Sequence, residues 1–243
     1  MRIQQMLSGT EVLLLAHGSK YPDYGAACET FLAVWNRSSG LHARLCFLEQ
    51  CEPLLEDLLA AVAAHSHSIA ILPLLLNAGI HLRQDIPDRL AAFKQHHSEI
   101  KIYPVAGLTD VGAITEALND RAIEAHADVQ SIILLTHGSR QNSVQQHVMQ
   151  LVDMLAARTG KNITVAFSGY GIPSLEGALK KHAGASPVVV TPHFIFPGGW
   201  WKQACADMDT FRHAHPGVEL ILAKPLGAHL YILKLLQQQL RNL

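Results

Sequence analysis

The sequence has 243 residues, 49% of them hydrophobic, which is enough to bury a substantial core in one or two domains. The 19 basic residues nearly balance the 20 acidic ones, which excludes a general attraction to nucleic acid or to an anionic membrane. No apolar run is long enough to span a bilayer, and the four cysteines show no CxxC spacing. We therefore expect a cytoplasmic protein with reduced thiols and with no nucleic-acid or membrane partner.

The first half of the chain alternates short apolar runs with amphipathic stretches. This pattern predicts strands and helices in the following places: strands at 12–16, 43–48, 69–76 and 100–105, and helices at about 23–35, 53–64, after Asp85, and at about 110–126. Strict alternation of strands and helices is typical of a parallel sheet that is covered on both faces.

The pattern then begins again, because the sequence contains an internal repeat. The segment VLLLAHGSK around His17 returns as IILLTHGSR around His137, 120 positions later. A repeat of this length is too long for a solenoid and fixes the architecture as two similar halves. We predict an α/β protein with tandem halves at 1–128 and 129–243. Each half should hold a four-stranded parallel sheet flanked by helices in flavodoxin-like layers, with the active-site cleft between the halves.

Three polar side chains of the first half, His17, Glu49 and His81, follow strands at one edge of the predicted sheet. Ligands bind at this edge of open parallel sheets, because the loops diverge there. Two imidazoles and a carboxylate suit a borderline divalent ion such as Co²⁺, Ni²⁺, Fe²⁺ or Zn²⁺, and histidine also accepts protons near neutral pH. A single histidine after a strand is more often structural, so it is the set of three that predicts metal ligands and catalytic residues.

The second half lacks most of this set. When the halves are aligned on their repeated phenylalanines and prolines, Glu49 falls opposite Gly169 and His81 falls opposite Trp200. Only His137 is retained. The difference predicts a single active site in the first half, with the second half forming the other wall of the cleft.

The motifs of the first half resemble a known family. HGSK after the first strand, FLE shortly before a proline, and PLLLNAGIH followed by DIP look like the sirohydrochlorin chelatases CbiX and SirB in their two-domain long form. The resemblance covers essentially the whole chain. It implies insertion of Co²⁺ on the route to cobalamin, or of Fe²⁺ on the route to sirohaem, with release of two pyrrole protons. It also implies that His17 and His81 are the catalytic histidines and Glu49 their acidic partner.

The family's substrate is an anionic tetrapyrrole rimmed with carboxylates. Ser19, Lys20 and Arg83 are the candidates to bind it through charge-assisted hydrogen bonds. A solvated surface role is the commoner one for a lone cation, and Ser19 is equally suited to cap the next helix. The resemblance implies no permanent cofactor, because the metal ion is a substrate. We expect a monomer rather than a dimer, because a fused repeat can replace a partner chain.

Two other functions are compatible with parts of the pattern. A tetrapyrrole or metal carrier would use the same cleft without turnover. A histidine phosphatase or mutase would need an arginine immediately before the first histidine, where this chain has Ala16. Both Co²⁺ and Fe²⁺ remain candidates for the metal.

Overall fold

The computed structural model describes residues 9–182, 184 and 187–243. The strands and helices of this part of the chain are, in order, β1 (Thr10–Ala16), α1 (Pro22–Ser39), β2 (Ala43–Phe47), α2 (Leu55–Ala63), β3 (Ser68–Pro73), a π-helical turn (His81–Asp85), α3 (Ile86–His96), β4 (Lys101–Pro104), α4 (Val111–Ala125), β5 (Ser131–Gly138), α5 (Asn142–Thr159), β6 (Asn162–Tyr170), α6 (Leu175–Lys181), β7 (Val188–Pro192), α7 (Gly199–Ala214), β8 (Leu220–Leu222) and α8 (Leu230–Arg241). None of the helices in these residues combines the length and the apolarity needed to cross a bilayer.

The strands form two parallel sheets of four. The first has the order β2-β1-β3-β4 and the second has the order β6-β5-β7-β8. The two orders are the same once the strands of each half are numbered from its start. The prediction of two tandem α/β halves, each with a four-stranded parallel sheet flanked by helices, is therefore confirmed.

The central strands are buried on both faces, which explains their continuous apolar sequences. Leu13, Leu14 and Leu15 of β1 have no exposed surface, although successive side chains point to opposite faces of a strand. One face of the first sheet packs under α2 and α3, where leucines and isoleucines of the strands meet Leu59 and Leu90. Burying each such side chain contributes about 1.5–3 kcal/mol, so the strands give the site a rigid base.

The strand register aligns the carboxyl ends of the first three strands. Ala16 pairs with Phe47 across β1 and β2, and Leu15 pairs with Pro73 across β1 and β3. The residues that follow these strands therefore leave the sheet at the same edge. This is the edge at which the sequence places the candidate site.

The third strand is shorter than predicted, and the helix after it begins earlier. β3 ends at Pro73, and residues 74–80 form a connecting loop up to the π-helical turn His81–Asp85. In this turn the carbonyl of His81 accepts a hydrogen bond from the N–H of Ile86, five residues on. The hydrophobic periodicity predicted that the helix starts after Asp85, because the single wide turn that precedes it leaves no repeating pattern in the sequence.

Packing divides the chain differently from the repeat. In the described part, one compact unit comprises residues 9–109 and 232–243, and the other comprises residues 110–231. The reason is that α4, the last helix of the first repeat, packs against α5 and β7. The predicted boundary at residue 128 therefore follows the sequence repeat, and the compact units follow the helix packing.

Candidate functional site

The loop after β1 is held against the loop after β2 by backbone hydrogen bonds that continue beyond the strands. The N–H of Leu48 donates to the carbonyl of Ala16 at 2.9 Å, and the N–H of Glu49 donates to the carbonyl of His17 at 3.0 Å. Gly18 makes this approach possible, because its φ is +98° and a Cβ there would lie 1.6 Å from the Glu49 carbonyl oxygen. The backbone thus fixes His17 beside Glu49.

His81 is positioned by the π-helical turn. Its Nδ1–H donates to Oδ2 of Asp85 at 2.7 Å, and the two side chains are 38% and 36% exposed. Asp85 was not among the predicted site residues. The sequence contains two signals for it, the four-residue spacing from His81 and the alanine, Ala204, at the equivalent place in the second half.

The rings of His17 and His81 face each other through their Nε2 atoms, which lie 3.1 Å apart. The rings meet edge to face, with centroids 4.7 Å apart and an interplanar angle of 82°. His17 Nδ1–H donates to the carbonyl of Gly18 at 3.0 Å, so both histidines use Nδ1 as a donor. Both Nε2 atoms then present lone pairs to the same point.

Two lone pairs at this separation repel each other unless a cation lies between them. A shared proton is one such cation, because it makes an N–H···N hydrogen bond of ordinary length. A metal ion is the other, because two imidazole nitrogens that each lie about 2.1 Å from one ion are about 3 Å apart at the 90° angle of octahedral coordination. The 3.1 Å separation of the Nε2 atoms therefore fits either a shared proton or an ion held by both rings.

Glu49 lies on the other side of the His17 ring. Its Oε1 is 3.7 Å from Nδ1 of His17, the nitrogen that points away from His81. Gln50, which has a positive φ of 63°, donates from Nε2 to the same carboxylate oxygen at 2.8 Å. In the described residues no group of three His, Cys, Asp or Glu side chains is arranged to hold a metal ion. Glu49 as a third ligand stays a prediction, and it requires another rotamer.

The three predicted substrate-binding residues occupy different surroundings. The Oγ of Ser19 accepts from the N–H of Tyr21 at 3.1 Å, so it closes the turn that precedes α1. The side chains of Lys20 and Arg83 are exposed, and neither forms an ion pair with a residue of the described chain. Both cations are therefore available to an anionic ligand.

Two residues that support the His17 loop were not predicted. The Sγ–H of Cys51 donates to the carbonyl of Ser19 at 3.3 Å, and the N–H of Ser19 lies 3.4 Å from the same sulfur. The hydroxyl of Tyr24 accepts from the N–H of Gly18 at 3.2 Å. Burial raises the pKa of the Tyr24 phenol above its ordinary value, so it remains a neutral structural partner. Neither residue lies in a motif that distinguishes it from an ordinary core side chain.

The equivalent place in the second half contains a different arrangement. The ring of His137 lies 4.7 Å from that of Trp200 and 5.9 Å from that of Tyr170, between centroids. A Cβ on Gly169 would lie 2.5 Å from the His137 ring, so a glutamate at that position would require the ring to move. Trp200 therefore lies against His137 where the first half has two facing imidazoles.

The fold and the site define a class of protein: a tandem α/β repeat whose first half brings two imidazoles face to face at one sheet edge. The CbiX family model matches residues 11–125 and again residues 131–243. The chain belongs to the CbiX family.

Curated relatives and solved structures agree with this assignment. The chain is 22% identical to the sirohydrochlorin ferrochelatase of Priestia megaterium, across 96% of this chain and 90% of the relative. It is 23% identical to the sirohydrochlorin cobaltochelatase of the same organism, across 90% of this chain and 74% of the relative. SirB from Bacillus subtilis with Fe³⁺ matches with a TM-score of 0.80, at 20% identity, across 96% of this chain and 94% of that structure. This structural likeness shows that the fold is shared.

Proposed function

We propose that this chain inserts a divalent metal ion, Co²⁺ or Fe²⁺, into sirohydrochlorin. The observation that carries the proposal is the pair of Nε2 atoms of His17 and His81, which face each other at 3.1 Å with both Nδ1 atoms used as donors. Membership of the CbiX family and the names of the relatives, a ferrochelatase and a cobaltochelatase, supply the class of substrate.

The reaction exchanges one dication for two protons. The macrocycle enters with two pyrrole N–H groups and leaves as a dianion that binds the metal, so two protons must depart. While His17 and His81 hold the ion, their lone pairs are occupied. When the ion moves to the pyrrole nitrogens, the lone pairs become free to accept protons.

The second proton needs another acceptor. One proton between the Nε2 atoms makes a hydrogen bond, whereas two imidazolium rings at 3.1 Å would repel each other. Glu49 is 48% exposed and lies beside Nδ1 of His17, so it is placed to take a proton and pass it to water. We propose that Glu49 acts here as a base or as a proton relay.

Asp85 acts as a positioning residue for His81. By accepting the Nδ1–H at 2.7 Å it fixes the tautomer in which Nε2 carries the lone pair. Its negative charge also stabilises the positive charge that His81 acquires with a proton or a metal. Among the described residues, the Nδ1 of His17 has the carbonyl of Gly18 as its hydrogen-bond acceptor in place of a carboxylate, so we propose that the two histidines differ in strength as ligands.

We further propose that Lys20 and Arg83 bind carboxylates of the macrocycle. Both are exposed cations, and each follows one of the proposed metal-binding histidines in the sequence, Lys20 after His17 and Arg83 after His81. Carboxylates on the rim of the macrocycle make charge-assisted hydrogen bonds with such groups. Ser19 contributes less to this binding, because its Oγ already accepts the N–H of Tyr21. No permanent cofactor takes part in this scheme.

The location and the association state are also proposals. All four cysteines of the chain, Cys28, Cys46, Cys51 and Cys205, are free, which favours a reducing compartment such as the cytoplasm. We propose that the chain acts as a monomer, because the tandem repeat provides two similar halves in one polypeptide.

The test is an anaerobic absorption assay with sirohydrochlorin and either Co²⁺ or Fe²⁺. We expect wild type to exceed the spontaneous rate and His17→Ala and His81→Ala to fall close to it. His96→Ala is the control, because His96 is an exposed histidine of the same half, at the end of α3, and it should retain most of the rate. Full activity of His81→Ala would contradict the proposed mechanism. Stoichiometric binding without acceleration by wild type would indicate a carrier.

A further inference from the structure

The exposed Phe, Tyr and Trp side chains of the described chain lie in one place. Among the described Phe, Tyr and Trp residues only Tyr170 and Trp200 are exposed, at 47% and 45%. They come from the end of β6 and the first turn of α7, at the carboxyl edge of the second sheet. Exposed apolar side chains that cluster at one sheet edge make that edge a candidate binding surface.

The two aromatics are connected through His137. The His137 ring is tilted by 35° against Trp200 at 4.7 Å and stands edge-on to Tyr170 at 5.9 Å. Gly169 lets this ring lie close to the backbone, because no Cβ is present to exclude it. The three rings therefore form a continuous set with His137 in the middle, packed against the backbone at Gly169. We call His137, Tyr170 and Trp200 the aromatic row.

Cations accompany the aromatic row. The guanidinium of Arg140 lies 4.6 Å from the centroid of the Tyr170 ring, in a cation–π contact. Lys202 is exposed in the first turn of α7, two residues after Trp200. In the first half, Lys20 and Arg83 occupy the equivalent positions. The second half has thus lost the metal-binding imidazole pair and retained the two positive charges.

We propose that the aromatic row binds the flat face of a tetrapyrrole, while Arg140 and Lys202 bind carboxylates on its rim. This inference rests on the proposed function for the class of ligand. A planar conjugated ring with an anionic edge complements a row of π faces flanked by cations. The second half is then a binding element for the macrocycle and holds no metal in the reaction.

The test is equilibrium binding of metal-free sirohydrochlorin to the full chain, followed by the absorption of the macrocycle. We expect Trp200→Ala to weaken binding by roughly tenfold, a factor equivalent to about 1.4 kcal/mol. Trp200→Phe should restore most of the affinity, because it returns a π face. Arg140→Gln should weaken binding at low ionic strength, and added salt should reduce the difference.

Met149→Ala is the matched control, because Met149 is also 45% exposed and lies in the same compact unit, on α5. It should bind like wild type. If Trp200→Ala binds the macrocycle with the affinity and stoichiometry of wild type while metal insertion persists, this inference is wrong and the proposed function stands. If Trp200→Ala loses affinity but wild type accelerates no insertion, the proposed function is wrong and the aromatic row stands. A wild-type chain that binds no macrocycle would overturn both.

Discussion

Replacement of His193 by leucine tests how a buried imidazole limits the stability of the second half in acid. His193 follows Pro192 at the end of β7 and is 2% exposed. Its Nε2 has no hydrogen-bond partner among the described residues, and its Nδ1 lies 3.5 Å from the hydroxyl of Thr136. The ring of His147 lies 6.4 Å away between centroids, and its charge also lowers the pKa of His193. Burial is the main cause that lowers the pKa of His193 from 6.5 to about 3.

The sign of the effect follows from which state binds the proton first. In the unfolded chain the His193 imidazole has its ordinary pKa of 6.5, whereas in the folded chain it stays neutral down to about pH 3. As the pH falls below 6.5 the unfolded state therefore takes up the proton, and the free energy of unfolding decreases. At about 1.36 kcal/mol per pH unit, the loss from His193 between pH 7 and pH 5 is about 2 kcal/mol.

Leucine is the appropriate replacement, because Leu74 follows the equivalent proline in the first half. Between pH 7 and pH 5, we expect the free energy of unfolding of His193→Leu to fall by about 2 kcal/mol less than that of wild type. The assay is urea unfolding at both values, followed by circular dichroism. His213→Leu is the control, since His213 is exposed and belongs to the same compact unit. Equal losses in wild type and His193→Leu would refute the reasoning.

The remaining predictions concern the first half. Asp85→Asn should lower metal affinity and insertion rate by roughly tenfold, and Asp88→Asn, an exposed neighbour on α3, should not. Gly18→Ala should destabilise the chain by about 3 kcal/mol in chemical unfolding, because the φ is positive and the Cβ would meet the Glu49 carbonyl. Gly25→Ala, which has open space in α1, should stabilise it by about 0.5–1 kcal/mol. Glu49→Gln should lower turnover and leave metal affinity unchanged if Glu49 is a proton relay beside Nδ1 of His17, whereas a loss of metal affinity would identify Glu49 as the third ligand. Unchanged turnover would exclude the relay.

The sequence was sufficient to predict the sheet edge and the histidines that meet there. Strands that are buried on both faces have continuous apolar sequences, so β1 and β3 stand out and the residues after them are easily located. Parallel strands in register bring those residues to one edge. The approach of His17 and His81 follows from these two facts, and the internal repeat identifies which half retains both histidines.

The finer geometry depends on local backbone conformations that periodicity does not report. Asp85 reaches His81 because the helix begins with a wide π turn, and a single turn leaves no repeating pattern. Glu49 lies behind the His17 ring because the loop after β2 turns back at Gln50, a non-glycine residue with a positive φ. Residue spacing placed Glu49 near His17 but could not indicate which ring nitrogen it would approach.

The substitutions in the second half depend on one another, which bears on how the two halves came to differ. Gly169 leaves the space that the His137 ring fills, and Trp200 then packs over that ring. Trp200→His alone would place an imidazole opposite a ring that is still held against the Gly169 backbone. Gly169→Glu alone would put a Cβ 2.5 Å from the His137 ring and would displace it. Neither single change recreates two facing Nε2 atoms. At least two simultaneous substitutions would be needed to convert the aromatic surface of the second half back into an imidazole pair.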